Sequence, residues 1–305
     1  MIAEKNRKFF FLLSFQEGFC RIRLHGGGID VTGLPGGGEK MAVFAGVDIG
    51  STTGKALLLD EEGKVLGFYI TEATPKPEKT ARICMDAVLE KAGLQGKDIA
   101  FMVGTGYGRV KIPFASENIS EITCHSTGAR WLCPTVRTVV DIGGQDCKVI
   151  GVREDGKVRE FVMNDKCAAG TGRFLESQAR VLGVKIEDFS GLSKRAGSPA
   201  LISAQCSVFA ESEIITQLNE GNSIENVVAG IHLAIASRLI SLLNRVGIQE
   251  DLTVSGGCAK NEGLISILEQ KVGVKVVHLR EDPQIVGALG AAVLAQEKWR
   301  KRAAA

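Results

Sequence analysis

Two stretches of the chain carry the same alternation of apolar runs and turn residues. The first reads AVFAGVDIG (42–50), KALLLD (55–60) and KVLGFYI (64–70). The second reads RTVVDIG (137–143), CKVIGV (147–152) and KVREFVM (157–163). Each is a set of three short, β-branched runs punctuated by an Asp-Ile-Gly turn and then by a Gly-containing turn, EEGKV at 61–65 and EDGKV at 154–158. Runs of this length and composition predict strands rather than helices. Both the Asp-Ile-Gly turns and the Gly-Lys-Val turns stand 93 positions apart (48 to 141, 61 to 154). A constant offset predicts a duplicated lobe, with a β-meander in each copy.

Helical spacing appears elsewhere. ARICMDAVLEKAGL (81–94) places Cys84 on its apolar face. In RFLESQARVLGV (173–184), Phe174, Leu175, Val181 and Leu182 share one face. SIENVVAGIHLAIASRLISLLNRVG (223–247) repeats Ile224, Val227, Val228, Ile231, Ile235 and Ile240, with Gly247 as a stop. Further on, DLTVSGGCAKNEGLISILEQ reads as strand, Gly-Gly turn and helix, VKVVHL as a strand, and IVGALGAAVLAQEKW as a closing helix. The expected organisation is a first lobe over residues 41–138, joined by a C-terminal helix over 284–305, and a second over 139–283. Residues 1–40, with the run KFFFLLSF and the Gly-rich LHGGGIDVTGLPGGGEK, read as an extension outside both, with a native start expected at Met41.

Composition narrows the function. A length of 305 residues suits two lobes. A formal net charge of +2 gives no basic stripe for nucleic acid and no pull toward an anionic membrane. No uninterrupted apolar run reaches the ~18 residues that a spanning segment needs. The eight cysteines (Cys20, Cys84, Cys124, Cys133, Cys147, Cys167, Cys206 and Cys258) are scattered and follow no secretory signal, which predicts reduced thiols and a cytoplasmic location.

The repeated turns carry the first candidate chemistry. A tight Asp-Ile-Gly hairpin exposes backbone N–H groups that suit phosphate oxygens. The aspartates, Asp48 and Asp141, could hold the water shell of Mg²⁺, which takes few carboxylates. The phosphate-facing candidates are Ser51, Thr52, Thr53, Gly54 and Lys55 in the first hairpin and Gly143, Gly144, Gln145 and Asp146 in the second. Asp48, Asp141 and Gln145 are the catalytic candidates, Gln145 orienting the attacking water or bonding a phosphate. Gly256 and Gly257 allow the close backbone approach that a base and ribose need, and Gln284 could line the same pocket. Two other motifs are excluded. GSTTGKA has one residue too few for a P-loop and no Ser or Thr after its Lys. GTGYG (104–108) lacks the dinucleotide spacing.

DIGSTTGK, DIGGQDCK and VSGGCAKN, in that order, resemble the two phosphate motifs and the adenosine motif of the actin, Hsp70 and sugar-kinase superfamily. That resemblance implies an α/β fold of two ribonuclease-H-like lobes with ATP in the cleft between them.

Cysteine is not explained by that cleft. Cys167 precedes Gly170, Gly172 and a helical run; Cys206, in ISAQCSVFAESEIITQL, precedes another. Both are expected at helix N-termini, where the local field lowers a thiol pKa. Two such thiols could be redox-active, bind a metal or be incidental. A [4Fe–4S] cluster takes four cysteines, and a two-fold dimer would double two to four. Among the remaining polar residues, Glu176, Glu211 and Glu213 are read as relay candidates or solvated helix faces. His125 is read as a satisfied helix histidine and His232 as core or interface.

NDKCAAGTGRFLE, CSVFAESE, GTGYGR and EITCHSTGA resemble the ATP-dependent activators of 2-hydroxyacyl-CoA dehydratases, a group that extends to the ATPase subunits of benzoyl-CoA reductase. The likeness runs from about residue 43 to about 295. It implies an ATPase that binds ATP and Mg²⁺ and forms a homodimer. One [4Fe–4S] cluster per dimer would then be held by Cys167 and Cys206 of each protomer. It further implies electron transfer, in an anaerobic metabolism, from a ferredoxin or flavodoxin to a dehydratase partner. Moving one electron a few hundred millivolts uphill needs on the order of 5–10 kcal/mol, above the ~1–3 kcal/mol of ordinary allosteric coupling, so hydrolysis is the expected source. A benzoyl-CoA-reductase-type ATPase subunit and a small-molecule kinase of the same fold remain open beside it.

Overall fold

The computed structural model describes residues 41–203 and 206–304. The expected extension at 1–40, with Cys20, lies outside the described residues. The sequence repeat becomes a repeated sheet. β1 (Val43–Ile49), β2 (Thr53–Leu59) and β3 (Val65–Glu72) form an antiparallel meander. After α1 (Pro77–Ala92), β4 (Ile99–Thr105) returns parallel to β1, and the short β5 (Glu117–Asn118) runs parallel to β4. The order is β3-β2-β1-β4-β5. In the second sheet, β6 (Thr138–Ile142), β7 (Cys147–Val152) and β8 (Val158–Asn164) repeat the meander, and β9 (Leu252–Ser255) and β10 (Val276–Val277) repeat the parallel additions. Its order, β8-β7-β6-β9-β10, matches the first strand for strand. The registers match too: Asp48 pairs with Lys55 as Asp141 pairs with Lys148.

Central strands β1, β2, β6 and β7 are buried along nearly their whole length. Both faces are covered, which is why their sequences read as continuous apolar runs rather than alternations. One covering layer is shared. α2 (Glu121–Leu132) and α8 (Val286–Ala303) join a single apolar cluster with Phe44 and Leu57 of the first sheet and Val139 and Ile150 of the second. The second sheet is covered further by α3 (Gly172–Leu182), α5 (Ser207–Asn219), α6 (Ile224–Val246) and α7 (Glu262–Val272), with the short α4 (Phe189–Lys194) between them. Phe174 and Leu175, the apolar face expected of α3, are fully buried, each contributing roughly 1.5–3 kcal/mol.

Two expectations need adjusting. The strand read in VKVVHL is confined to Val276–Val277 at the sheet edge. α6 spans 23 residues and, by length and composition, is apolar enough to cross a bilayer. Its Val227, Ile231, Ile235, Leu239 and Leu243 are instead buried in the second lobe's core, the packing of an internal helix.

Candidate functional site

The two hairpins place like atoms in like positions. In the first, the Gly50 N–H donates to the Thr53 carbonyl at 3.0 Å; in the second, the Gly143 N–H donates to the Asp146 carbonyl at 2.9 Å. Behind each turn a lysine reaches across the antiparallel pair to the aspartate. Lys55 Nζ lies 3.2 Å from Asp48 Oδ2, and Lys148 Nζ lies 3.2 Å from Asp141 Oδ2. The hairpin tips meet: Thr52 fills the space where a Gly144 side chain would stand. Between them lies a cleft of about 1020 Å³.

Of the expected nucleotide contacts, Ser51, Thr52, Thr53 and Lys55 line this cleft with Asp48. Gly143, Gly144, Gln145 and Asp146 line it with Asp141, and Gly256, Gly257 and Gln284 complete it. Gly54 alone among them does not line the cleft. Strand alternation turns it to the opposite face of β2, where a Cβ would press on Thr80 and Cys84 of α1. Gln145 is exposed at its turn, its side chain open to a ligand. At the far end the chain needs glycine at Gly256, whose φ of +87° leads from β9 into the turn. There Gln284 packs on Gly257 and accepts from Lys260 Nζ at 2.7 Å.

Other residues enter the cleft without having been assigned to it from the sequence. Lys148 is buried between two carboxylates, 3.2 Å from Asp141 and 2.9 Å from Asp146. Burial alone would lower its pKa, but the two anions raise it well above the ordinary lysine value. For Asp141, burial favours the neutral acid. The facing His125 and Lys148 and hydrogen bonds from Ser255 and Lys148 overcome that and hold the carboxyl far below the usual range. Such a pair is not a source of net stability, since apolar residues of similar volume often do as well; its value is a fixed carboxylate. His125 is likewise in the cleft, with Nδ1 3.1 Å from Ser255 Oγ and 3.4 Å from Asp141 Oδ1. Gly106 and Tyr107, from the excluded GTGYG segment, form part of the wall. His232 is buried in α6, bonded at 2.9 Å to Asn261, the N-cap of α7.

Cysteine burial separates the thiols. Cys84, Cys124, Cys133, Cys147 and Cys258 are buried. Burial pushes the thiols of Cys84 and Cys147 up to about 11 and those of Cys124 and Cys258 up to about 12, which keeps them protonated and poor ligands. Cys167 and Cys206 are only half-buried. Among the described residues, no three His, Cys, Asp or Glu side chains gather as a metal site within one chain. Cys206 is the N-cap residue of α5, as expected. Cys167 is not at a helix N-terminus: α3 opens at Gly172 with Thr171 as its N-cap, five residues on. A turn closed by the Thr171 N–H on the Ala168 carbonyl at 3.1 Å separates them, and the first N–H groups of α3 find partners outside the helix. Gly172 and Arg173 donate to the carbonyls of Gly143 and Gly144, both at 2.9 Å.

That pair of bonds fastens α3 to the second hairpin. From its other face, Ser177 Oγ donates to Glu211 of α5 at 2.7 Å, and Gln178 Nε2 donates to the Ser207 carbonyl beside Cys206 at 3.4 Å. Asn164 Nδ2, at the end of β8, donates to the Cys167 carbonyl at 3.0 Å. Glu213 of α5 accepts from the Ser203 N–H at 2.7 Å. Glu211 and Glu213, half-buried on α5, thus each tether a neighbouring segment. Glu176 pairs with Arg173 at 2.9 Å on the cleft wall.

A model of the BadF/BadG/BcrA/BcrD ATPase family matches residues 45–295. The (R)-2-hydroxyglutaryl-CoA dehydratase activating ATPase of Acidaminococcus fermentans is 43% identical over 265 residues, 86% of this chain and 100% of that protein. The crystal structure of that dehydratase's component A superposes with a TM-score of 0.81 at 41% identity, covering 85% of this chain and 99% of that one. The activator of the 2-hydroxyisocaproyl-CoA dehydratase from Clostridium difficile, solved with bound ADPNP, also gives 0.81, at 36% identity over 86% of this chain and 97% of that one. A Streptomyces griseus ROK family glucokinase, 15% identical with a TM-score of 0.53 over 84% of this chain and 100% of that one, shares the fold alone. The two-lobed α/β architecture of the actin, Hsp70 and sugar-kinase superfamily is thus the observed fold.

Proposed function

The chain belongs to the BadF/BadG/BcrA/BcrD ATPase family, and from that premise we propose that it activates a 2-hydroxyacyl-CoA dehydratase. It hydrolyses ATP in the cleft between its sheets and sends a low-potential electron to that partner, drawing on a ferredoxin or flavodoxin. One observation carries the reading: the phosphate hairpin Gly143–Asp146 is hydrogen-bonded to α3, and α3 is hydrogen-bonded to the helix that Cys206 caps. A nucleotide that shifts the hairpin shifts the surroundings of the cysteines through bonds already made.

Within the cleft, Ser51, Thr52, Thr53 and Lys55 take phosphate oxygens from one side, and the backbone of the Gly143–Asp146 turn from the other. Asp48 and Asp141 would hold the water shell of Mg²⁺, and Gln145 would orient the attacking water. Gly256, Gly257 and Gln284 bound the adenosine. The half-buried thiols fit a [4Fe–4S] cluster as donors: Cys167 and Cys206 of one protomer and the same pair of a second make the four thiolates it takes. That cluster would supply one-electron chemistry at low potential. Exposed apolar side chains beside Cys206, among them Leu201, Val208, Phe209 and Ile215, are the kind of surface that a second copy covers. The kinase reading draws only on fold-level likeness at 15% identity.

Anaerobic purification tests the assignment. The protein is expected to absorb near 400 nm. Cys167→Ser and Cys206→Ser should each abolish that band while nucleotide affinity stays within about twofold. A variant that keeps the band would end the ligand assignment.

A further inference from the structure

His125 stands between the two aspartates of the cleft. It is 6% exposed, on α2. Its Nδ1 lies 3.1 Å from Ser255 Oγ, and Ser255 Oγ donates to Asp141 Oδ1 at 2.9 Å. With the serine proton given to the carboxylate, the serine oxygen is left to accept, so His125 Nδ1 is the donor. The other ring edge faces Asp48: a Cβ on Gly287 would lie 2.8 Å from His125 Nε2 and 3.0 Å from Asp48 Oδ2. Asp141 is thereby held on both oxygens, Oδ2 by Lys148 at 3.2 Å and Oδ1 by Ser255, with His125 Nδ1 at 3.4 Å. The histidine comes from the helix layer shared by both sheets, whereas Ser255 and Asp141 end neighbouring strands of the second.

We propose that His125 is a positioning residue of the ATPase, fixing the Asp141 carboxylate through Ser255 so that it meets the bound nucleotide in one orientation. The inference rests on the nucleotide reading of the cleft and is independent of the iron–sulfur assignment. Without the ring, Ser255 Oγ loses its donor and is free to turn away, leaving Oδ1 of Asp141 without its anchor. A displacement of about 1 Å at a catalytic group costs on the order of a hundredfold in rate, with little change in substrate binding when the lost interaction matters only in the transition state.

Steady-state ATP hydrolysis by the full chain, together with the affinity for a fluorescent ADP analogue, tests this. His125→Ala is expected to lower kcat about 10–100-fold, with KM for ATP and analogue affinity within about threefold. His125→Asn, whose amide can donate where Nδ1 does, should recover most of the loss. Ser255→Ala should match His125→Ala, and the double variant should be no slower than either, because both remove one chain of bonds. Asp141→Asn is the control. If it leaves kcat unchanged, the cleft reading fails and His125 has nothing to position. If it lowers kcat while His125→Ala stays within twofold of the parent, the His125 inference alone is overturned. It is equally overturned if the two single losses multiply in the double variant. An unfolded His125→Ala, recognised by its thermal midpoint, leaves Ser255→Ala and His125→Asn to decide on the same criteria.

Discussion

His232 shows how a single residue sets a condition on the whole chain. It is buried in α6 against Phe189 and bonded to Asn261, and burial lowers its pKa to about 4. In the unfolded chain it would titrate near 6.5. Above that pH both states hold a neutral ring. Between pH 6.5 and about 4 the unfolded state binds a proton that the folded state refuses, so stability falls as pH falls, by up to about 3 kcal/mol. Urea midpoints at pH 7.5 and 5 should show the fall, and His232→Gln should flatten it; an equal fall in both proteins would contradict the account. This residue was legible only as core. Asp48, Asp141 and the glycines of the hairpins were legible as candidate chemistry because they recur at one offset. Lys148 recurs at the same 93-residue offset as Lys55, but the repeat alone gives it no partner. Its role emerges only when strand pairing sets it behind Asp141. His125 and Ser255 could not be paired from sequence, being 130 positions apart with no shared motif.

At the scale of elements, α3 is the piece with most to do. Its N-terminus takes the carbonyls of Gly143 and Gly144, and its middle holds α5 through Ser177 and Glu211. Ser177→Ala removes one buried-edge hydrogen bond to a carboxylate, about 1.5–3 kcal/mol. It should leave nucleotide affinity within twofold. It should also reduce, about fivefold or more, any nucleotide-dependent change in the rate at which a chelator extracts iron. An undiminished nucleotide effect would show that the signal takes another route. The meander strands were readable because buried central strands are uninterrupted apolar runs with glycine turns. The start of α3 was not. Gly170 and Gly172 look like a helix lead-in, but the turn from Ala168 to Thr171 closes first.

At the scale of the molecule, the duplication explains the cleft: two sheets of the same order, each ending in an Asp-Lys pair, face one another across a shared helical layer. That much follows from a 93-residue repeat. The proposed second protomer does not: it rests on the family likeness, on two half-buried cysteines and on exposed apolar side chains near Cys206. Iron content set against native mass, measured on anaerobically prepared protein, tests the proposal most directly. About four iron atoms per two chains are expected, in a particle of dimer mass that separates into monomers when the iron is removed. Iron-free protein, or a monomer carrying a full cluster, would contradict it.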